Sequence, residues 1–350
     1  MQFRDRDIIR DYSNRIYVVL GHIQPDSQVI CFLKYVPSPN GKWKQGNESF
    51  ERVFWGGVQS VDTGKDLVPP DFIKNDMHFG TELLEVPVSM IKKHYQPEER
   101  LASILAAEFN DQLEQSVKAT AIAINQSLEI GLESLGVAGS ILWQAHNTSF
   151  SDINMNVYGF ENSKKLQERL GRVAEASPDI RTRRKNEWKN AISRVIQRIP
   201  CLSHSDLELL FSRRKAIFHK DRCIGISPIL YPNESPIPYD SEIYKTVSPD
   251  PIHVKMYIEK DEHGIFHPAL YLGESEPVTM ADNGQITRIM VYDGAFGGVI
   301  RKGDSVEVSG TLQEVQAVKE GKITGNQKRF YQLMVGTVDG AGKEFIRLSE

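Results

Sequence analysis

The sequence predicts an α+β protein in three parts: a β-rich segment over residues 1–95, a middle segment over 96–230 that mixes helices with strands, and a β-barrel-like segment over 231–350. Three observations carry this division. Strand-like runs of β-branched and aromatic residues occupy both ends of the chain. Apolar residues recur every three to four positions only in the middle. Prolines punctuate the joins, with Pro69-Pro70 and Pro87 before the middle segment and "YPNESPIP" after it.

In the first segment, "IYVVLGHI" and "QVICFLKYV" read as strands. In "PSPNGK", Asn40-Gly41 supplies the positive φ angles of a tight hairpin. From Pro97 onward, Leu101, Leu105, Phe109, Leu113 and Val117 mark one face of a long amphipathic helix, which Pro97, Glu98 and Glu99 start. "IGLESLGVAGS" reads as a short strand ending in a turn, "ILWQAHN" as a helix opening, and "DINMNVYGF" as the next strand. A second helix spans about 184–199, its core stripe being Trp188, Ile192, Val195, Ile196 and Ile199. A third covers about 205–213, and "KAIFHKDRCIGISPILY" follows as paired strands. In the last segment, "KGDSVEVSGTLQEV" and "RFYQLMVGTV" are strands of a small closed or nearly closed barrel, for which an oligonucleotide-binding type is one candidate.

The 350 residues are 40% hydrophobic and 25% charged, ordinary values for a globular protein. No apolar run approaches the ~20 residues of a membrane span, and "MQFRDRDIIRDYSNR" has no signal-peptide core. A cytoplasmic protein without a membrane partner is expected. Three scattered cysteines and nine dispersed histidines offer neither a disulfide framework nor zinc spacing. The net charge of −4 hides an uneven distribution: residues 181–222 hold twelve Lys/Arg against four acids. Arg181, Arg183, Arg184, Lys185, Lys189, Arg213, Arg214 and Lys215 are the candidate nucleic-acid contacts of this segment, as a phosphate-backbone track. The alternative is the solvated face of ordinary helices.

The stretch "GSILWQAHNTSFSDINMNVYG" carries the chemistry. A strand running through Gly139-Ser140 into a helix offers free N–H groups to a phosphate. On the strand that follows, Asp152, Asn154 and Asn156 point one way while Ile153, Met155 and Val157 point the other. A polar row beside a phosphate site is what magnesium-assisted phosphoryl transfer uses, since hard oxygen ligands hold the ion.

These residues resemble the nucleotidyltransferase superfamily that includes DNA polymerase beta. Its signature is an apolar residue, Gly, Gly or Ser, a gap, then Asp-apolar-Asp/Glu-apolar; here Ala138, Gly139 and Ser140 precede Asp152-Ile153-Asn154-Met155. The whole chain, which begins with "RDRD" at residues 4–7, resembles an archaeal group of such polymerase-beta-like proteins. The resemblance implies a short mixed sheet with flanking helices for the middle segment. It assigns Gly139 and Ser140 to a nucleoside triphosphate, Asp152 to magnesium, and Asp152 with position 154 to catalysis. Asn154 departs from the pattern, because active members carry a second carboxylate there. The third carboxylate is also missing from "RCIGISPIL", with only Asp221 at its edge. Losing negative charge against the cation impairs a reaction that rests on electrostatics and positioning.

Two functions follow as expectations. One is a nucleotidyltransferase-like protein, catalytically impaired, that binds a nucleotide or nucleic acid. The other is a non-catalytic scaffold that binds RNA, DNA or a protein partner through segment 181–222 and the β domains. Trp143 is either core or a base-stacking platform, and His146 either structural or a phosphate contact. Tyr292, Phe296, Phe330 and Tyr331 either fill the barrel or stack on single strands.

Overall fold

A computed structural model describes residues 2–58, 61–109, 111–319, 322–323 and 329–349, which form a mixed α+β protein with three sheets. The first sheet contains β1 (Ile8–Asp11), β2 (Ile16–Val19), β3 (Gln28–Pro37), β4 (Trp43–Gln45), β5 (Glu48–Arg52), β6 (Ile73–Asp76), β7 (Thr81–Pro87) and β8 (Ile91–Tyr95). Its order is β4-β5-β3-β2-β1-β8, with β7 on the other half of β3 and β6 beyond it. Both faces are covered. Ile9, Tyr17, Val19 and Cys31 join one core, while Ile8, Ile16, Val18 and Tyr35 join another. Two-sided burial explains why "IYVV" is a continuous apolar run rather than an alternation.

The tight turn of this sheet is not at Asn40-Gly41. β4 and β5 form the hairpin instead, turning at Gly46 with φ +57°. Gly41 answers a different need, since a Cβ there would lie 2.2 Å from the Phe50 backbone.

The middle segment holds α1 (Pro97–Ala106), α2 (Gln112–Leu128), β9 (Leu135–Ala138), α3 (Gly139–Leu142), β10 (Ile153–Tyr158), α4 (Phe160–Glu175), β11 (Ile180–Thr182), α5 (Lys189–Arg198), α6 (His204–Ser212), β12 (Ile217–His219) and β13 (Arg222–Ile229). The expected single long helix is two. Asp111 caps α2 and Glu114 completes a capping box, which outweighs the four-residue apolar stripe and leaves Phe109 85% exposed. The sheet runs β11-β12-β13-β10-β9, with β10 parallel to β13 and the other pairs antiparallel. Helices α1, α2 and α4 supply its core through Leu101, Val117, Ile124, Leu166 and Val173. The Glu234 carboxylate, in the proline-rich join, accepts the Phe160 N–H at the start of α4.

The last segment contains β14 (Glu242–Thr246), β15 (Ile252–Lys260), β16 (Ala269–Ser275), β17 (Ile286–Val291), β18 (Ser305–Lys319), β19 (Lys322–Ile323), β20 (Phe330–Val335) and β21 (Phe345–Leu348). Because β18 pairs with both β15 and β20, the strands β15, β16, β17, β20 and β18 close a ring. The β17–β20 pair is parallel and the other pairs of the ring are antiparallel. The core of this ring takes in Ile192 and Val195 of α5 and Leu207, Leu210 and Phe211 of α6, so these helices pack with the barrel.

The three parts are tied together. Arg4 pairs with Glu98 and lies 4.2 Å over the Tyr158 ring. Ile23, Ile30 and Phe79 of the first segment share a core with Leu270, Met290 and Met334 of the barrel. Among the described residues, no helix is long and apolar enough to cross a membrane.

Candidate functional site

Gly139 turns the chain from β9 into the single turn α3 with φ +64°, a conformation glycine adopts without cost. It also makes room. A Cβ at Gly139 would sit 3.2 Å from Asn154 Nδ2, and one at Gly225 would sit 2.9 Å from Asn154 Oδ1. The Asn154 side chain therefore lies in a slot between two glycines, Gly225 on β13 and Gly139 just past the end of β9. The pairing Asn154–Gly225 and Asn154–Ala138 fixes this register.

The polar row on β10 is graded rather than uniform. Asp152 is exposed just before the strand, Asn154 is half-buried, and Asn156 is fully buried. Asn156 donates to the Tyr158 hydroxyl at 3.1 Å, and its Oδ1 has no partner among the described residues. Opposite these three on β13 stand Cys223, Gly225 and Ser227 by register and alternation. Among the described residues of β10 and β13 no carboxylate joins Asp152 on this face, and Asp221 lies in the exposed turn between β12 and β13. One carboxylate with two amides does not fit a two-metal centre.

Gly139 and Asn154 open into a cavity of about 1250 Å³ walled by all three parts of the molecule. To this cavity the first sheet contributes Ile8, Val18, Phe32 and Lys34. Arg6 also lines it, as do Phe54 and Trp55, the latter 67% exposed with the Arg52 guanidinium 4.8 Å over its ring. Arg198, also on the wall, is neutralised by Asp293. Burial lowers the Lys34 ammonium to about 7, with Arg52 and Arg6 adding to the effect and Asp152 opposing it.

Five of the eight candidate contacts in the basic segment are engaged by groups of the protein itself. Arg181 forks onto Glu187. Arg183 donates to the Glu187 carbonyl at 2.7 Å and lies 4.0 Å over the Trp188 ring. Arg213 forks onto Asp304, and Arg214 donates to the carbonyls of Gly294 and Ala295. Lys215 donates to the Gln167 and Glu168 carbonyls. Arg184, Lys185, Lys189 and Lys215 are exposed.

The aromatic and histidine candidates are packed. Trp143 is fully buried against Tyr35 and Phe50. Phe296 is inside the barrel, and Tyr331 is buried with its hydroxyl on Asp282. Tyr292 lies edge-on to His267 and Phe79, and Phe330 lies under Arg288. His146 bonds Asp111 at 2.6 Å, and with Glu114 these donors lie within 4.8 Å of one another. Asp111 also caps α2 and Glu114 also pairs with Arg100, while the His146 Nδ1 has no partner among the described residues.

Sequence reasoning missed Lys34, Arg6 and Trp55. A signal for the first exists in "CFLKYV", where a lysine interrupts a run that is otherwise apolar. Compared with protein-family models, curated proteins and solved structures, the chain finds no match.

Proposed function

We propose that this is a nucleotidyltransferase-like protein that binds a nucleoside triphosphate in the cavity between its three parts and has lost two-metal nucleotidyl transfer. The five-strand order with β9, Gly139-Ser140 and β10 at one edge supports the family reading. So does the adjacency of that turn to a polar strand face. The observation that carries the proposal is the slot of Asn154 between Gly139 and Gly225 on the cavity wall, where the pattern calls for a shared carboxylate. A neutral amide in that slot removes the charge that would draw in magnesium and leaves the site compatible with phosphate oxygens directly.

We read the C-terminal ring as an oligonucleotide-binding-type barrel, on its strand order and its single parallel pair among the ring strands. Its β16–β17 wall is occupied by the first sheet through Ile30 and Phe79, which favours a role as the third wall of the cavity over strand binding.

The test is Asn154→Asp. Wild-type protein binds ATP about equally with magnesium and with EDTA. The variant loses about tenfold or more in EDTA through like-charge repulsion and recovers with magnesium. Equal behaviour of the two proteins in both conditions overturns the assignment of Asn154 to the site.

A further inference from the structure

Lys34 sits where the sheet is deliberately irregular. Tyr17 pairs with Leu33 and Ile16 with Tyr35, so Lys34 is the extra residue of a β-bulge in the middle of β3. Bulges re-aim a side chain out of the regular alternation. Here Lys34 follows Ile30 and Phe32 onto the face that lines the cavity with Gly139 and Asn154, and the bulge turns Tyr35 away from the core of Cys31 and Leu33 to the core beside Phe32. Its ammonium has no hydrogen bond or ion pair among the described residues and lies 5.9 Å from the centroid of the Tyr35 ring. An ammonium partly withdrawn from water with no ion-pair partner is costly, and costly side chains gather at binding sites.

Arg6 reinforces the point from the neighbouring turn. It is a non-glycine residue at φ +67°, a left-handed conformation that only strong local constraint maintains. Arg6 also lines the cavity, and its guanidinium meets Asp5 at 3.4 Å. Asp5 is itself engaged by the Gly21 N–H at 2.8 Å. The charged groups acting on Lys34 are therefore Arg52 from β5, Arg6 from the turn before β1, and Asp152 from the start of β10. Arg52 and Arg6 outnumber Asp152 among the charges acting on Lys34, with Asp5 offsetting part of the Arg6 charge.

We infer that Lys34, with Arg6 beside it, is the cationic clamp for the ligand's phosphates and supplies within the chain the positive charge that a metal ion supplies elsewhere. The inference rests on the nucleotide reading of the cavity and adds to it a metal-independent mode of recognition. It has a proton signature. Lys34 in the empty cavity gives up its proton near neutrality, at about 7. A polyanion placed against the ammonium favours the charged form, so binding above that pH draws a proton from solvent onto Nζ. No bond is made or broken beyond that N–H.

The experiment is calorimetric titration with ATP in EDTA at about pH 8.5, where the triphosphate is fully ionised, in two buffers of different ionisation enthalpy. The wild type takes up about one proton per ATP bound. Lys34→Arg, whose side chain is always charged, binds ATP without that uptake. Lys34→Met loses the uptake and weakens ATP about tenfold or more. Thermal unfolding of each variant checks the fold. Undiminished affinity and uptake in Lys34→Met overturn the clamp. If ATP binds wild type only with magnesium and Lys34→Met is indifferent, the clamp fails while the nucleotide cavity stands. If ATP binds under neither condition, both fail.

Discussion

Lys34 and Asn154 line one cavity from different sheets, and neither suits a magnesium site: one is a cation and the other a neutral amide. The lysine has a measurable consequence for stability. Its folded-state value of about 7 lies below the ordinary 10.5, so between those two the unfolded chain binds more protons and stability rises with pH. Below that window the unpaired charge is a standing cost. Lys34→Met is expected to raise the melting temperature at pH 7 and to flatten its rise toward alkaline pH. Unfolding followed across that range checks it, and a lower melting temperature throughout would contradict the electrostatic argument. At this scale the sequence is half legible. Gly139, Ser140, Asp152 and Asn154 lie within one short stretch whose spacing can be read directly. Lys34 and Arg6 reach the same cavity from more than a hundred residues away, and only the packing of the first sheet on α3 brings them there.

That packing is the business of single elements. Trp143, at the end of α3, is fully buried between Tyr35 and Phe50, and Gln45 donates to its carbonyl. Trp143→Ala is expected to cost about 3–5 kcal/mol by denaturant unfolding, because a large cavity opens at the joint of two sheets. The basic segment is a second case. Charge density in 181–222 reads from sequence as a possible polyanion track, but density alone does not reveal partners supplied by distant loops. Asp304 for Arg213 and the carbonyls near Gly294 for Arg214 are separated from them by some 80 to 90 residues. With Arg184, Lys185, Lys189 and Lys215 as the exposed members of the eight candidate contacts, nonspecific nucleic-acid binding should show a log–log salt slope near about −4. Eight contacts would give about −7, so a slope that steep would restore the track. The split of α1 from α2 has the reverse lesson. The capping box Asp111–Glu114 is present in the sequence, and a local hydrogen-bonding signal outweighs a continuing apolar period.

Across the whole molecule the parts meet through groups that dislike protons. His22 bonds Ser235 and Pro268 across the joint between first sheet and barrel, and His78 stacks on Tyr239 beside Tyr244. Burial lowers both imidazoles to about 4. The unfolded chain protonates them at its ordinary value of 6.5, so their stabilisation is present above that pH and is lost as pH falls toward 4. Glu85, raised to about 7 by burial and Asp76, works in the opposite sense and offsets part of the loss. His22→Gln is therefore expected to lose less of its melting temperature than wild type on acidification from pH 7. An unchanged acid slope would place the sensitivity elsewhere. The three-part α+β organisation is legible because strand composition, helical period and prolines change along the chain. How the parts enclose a common cavity is not, since it depends on contacts such as Arg4–Glu98 and Ile30–Leu270 that no local pattern encodes.

The central claim is that this cavity binds a nucleotide through its phosphates without needing a metal. Its most direct test is calorimetric titration of the wild-type chain with ATP, GTP, CTP and UTP, each in EDTA and again in magnesium. The account predicts that at least one triphosphate binds in EDTA, with an affinity that magnesium changes by less than about threefold. Binding that exists only with magnesium, or no binding of any of the four, would contradict it.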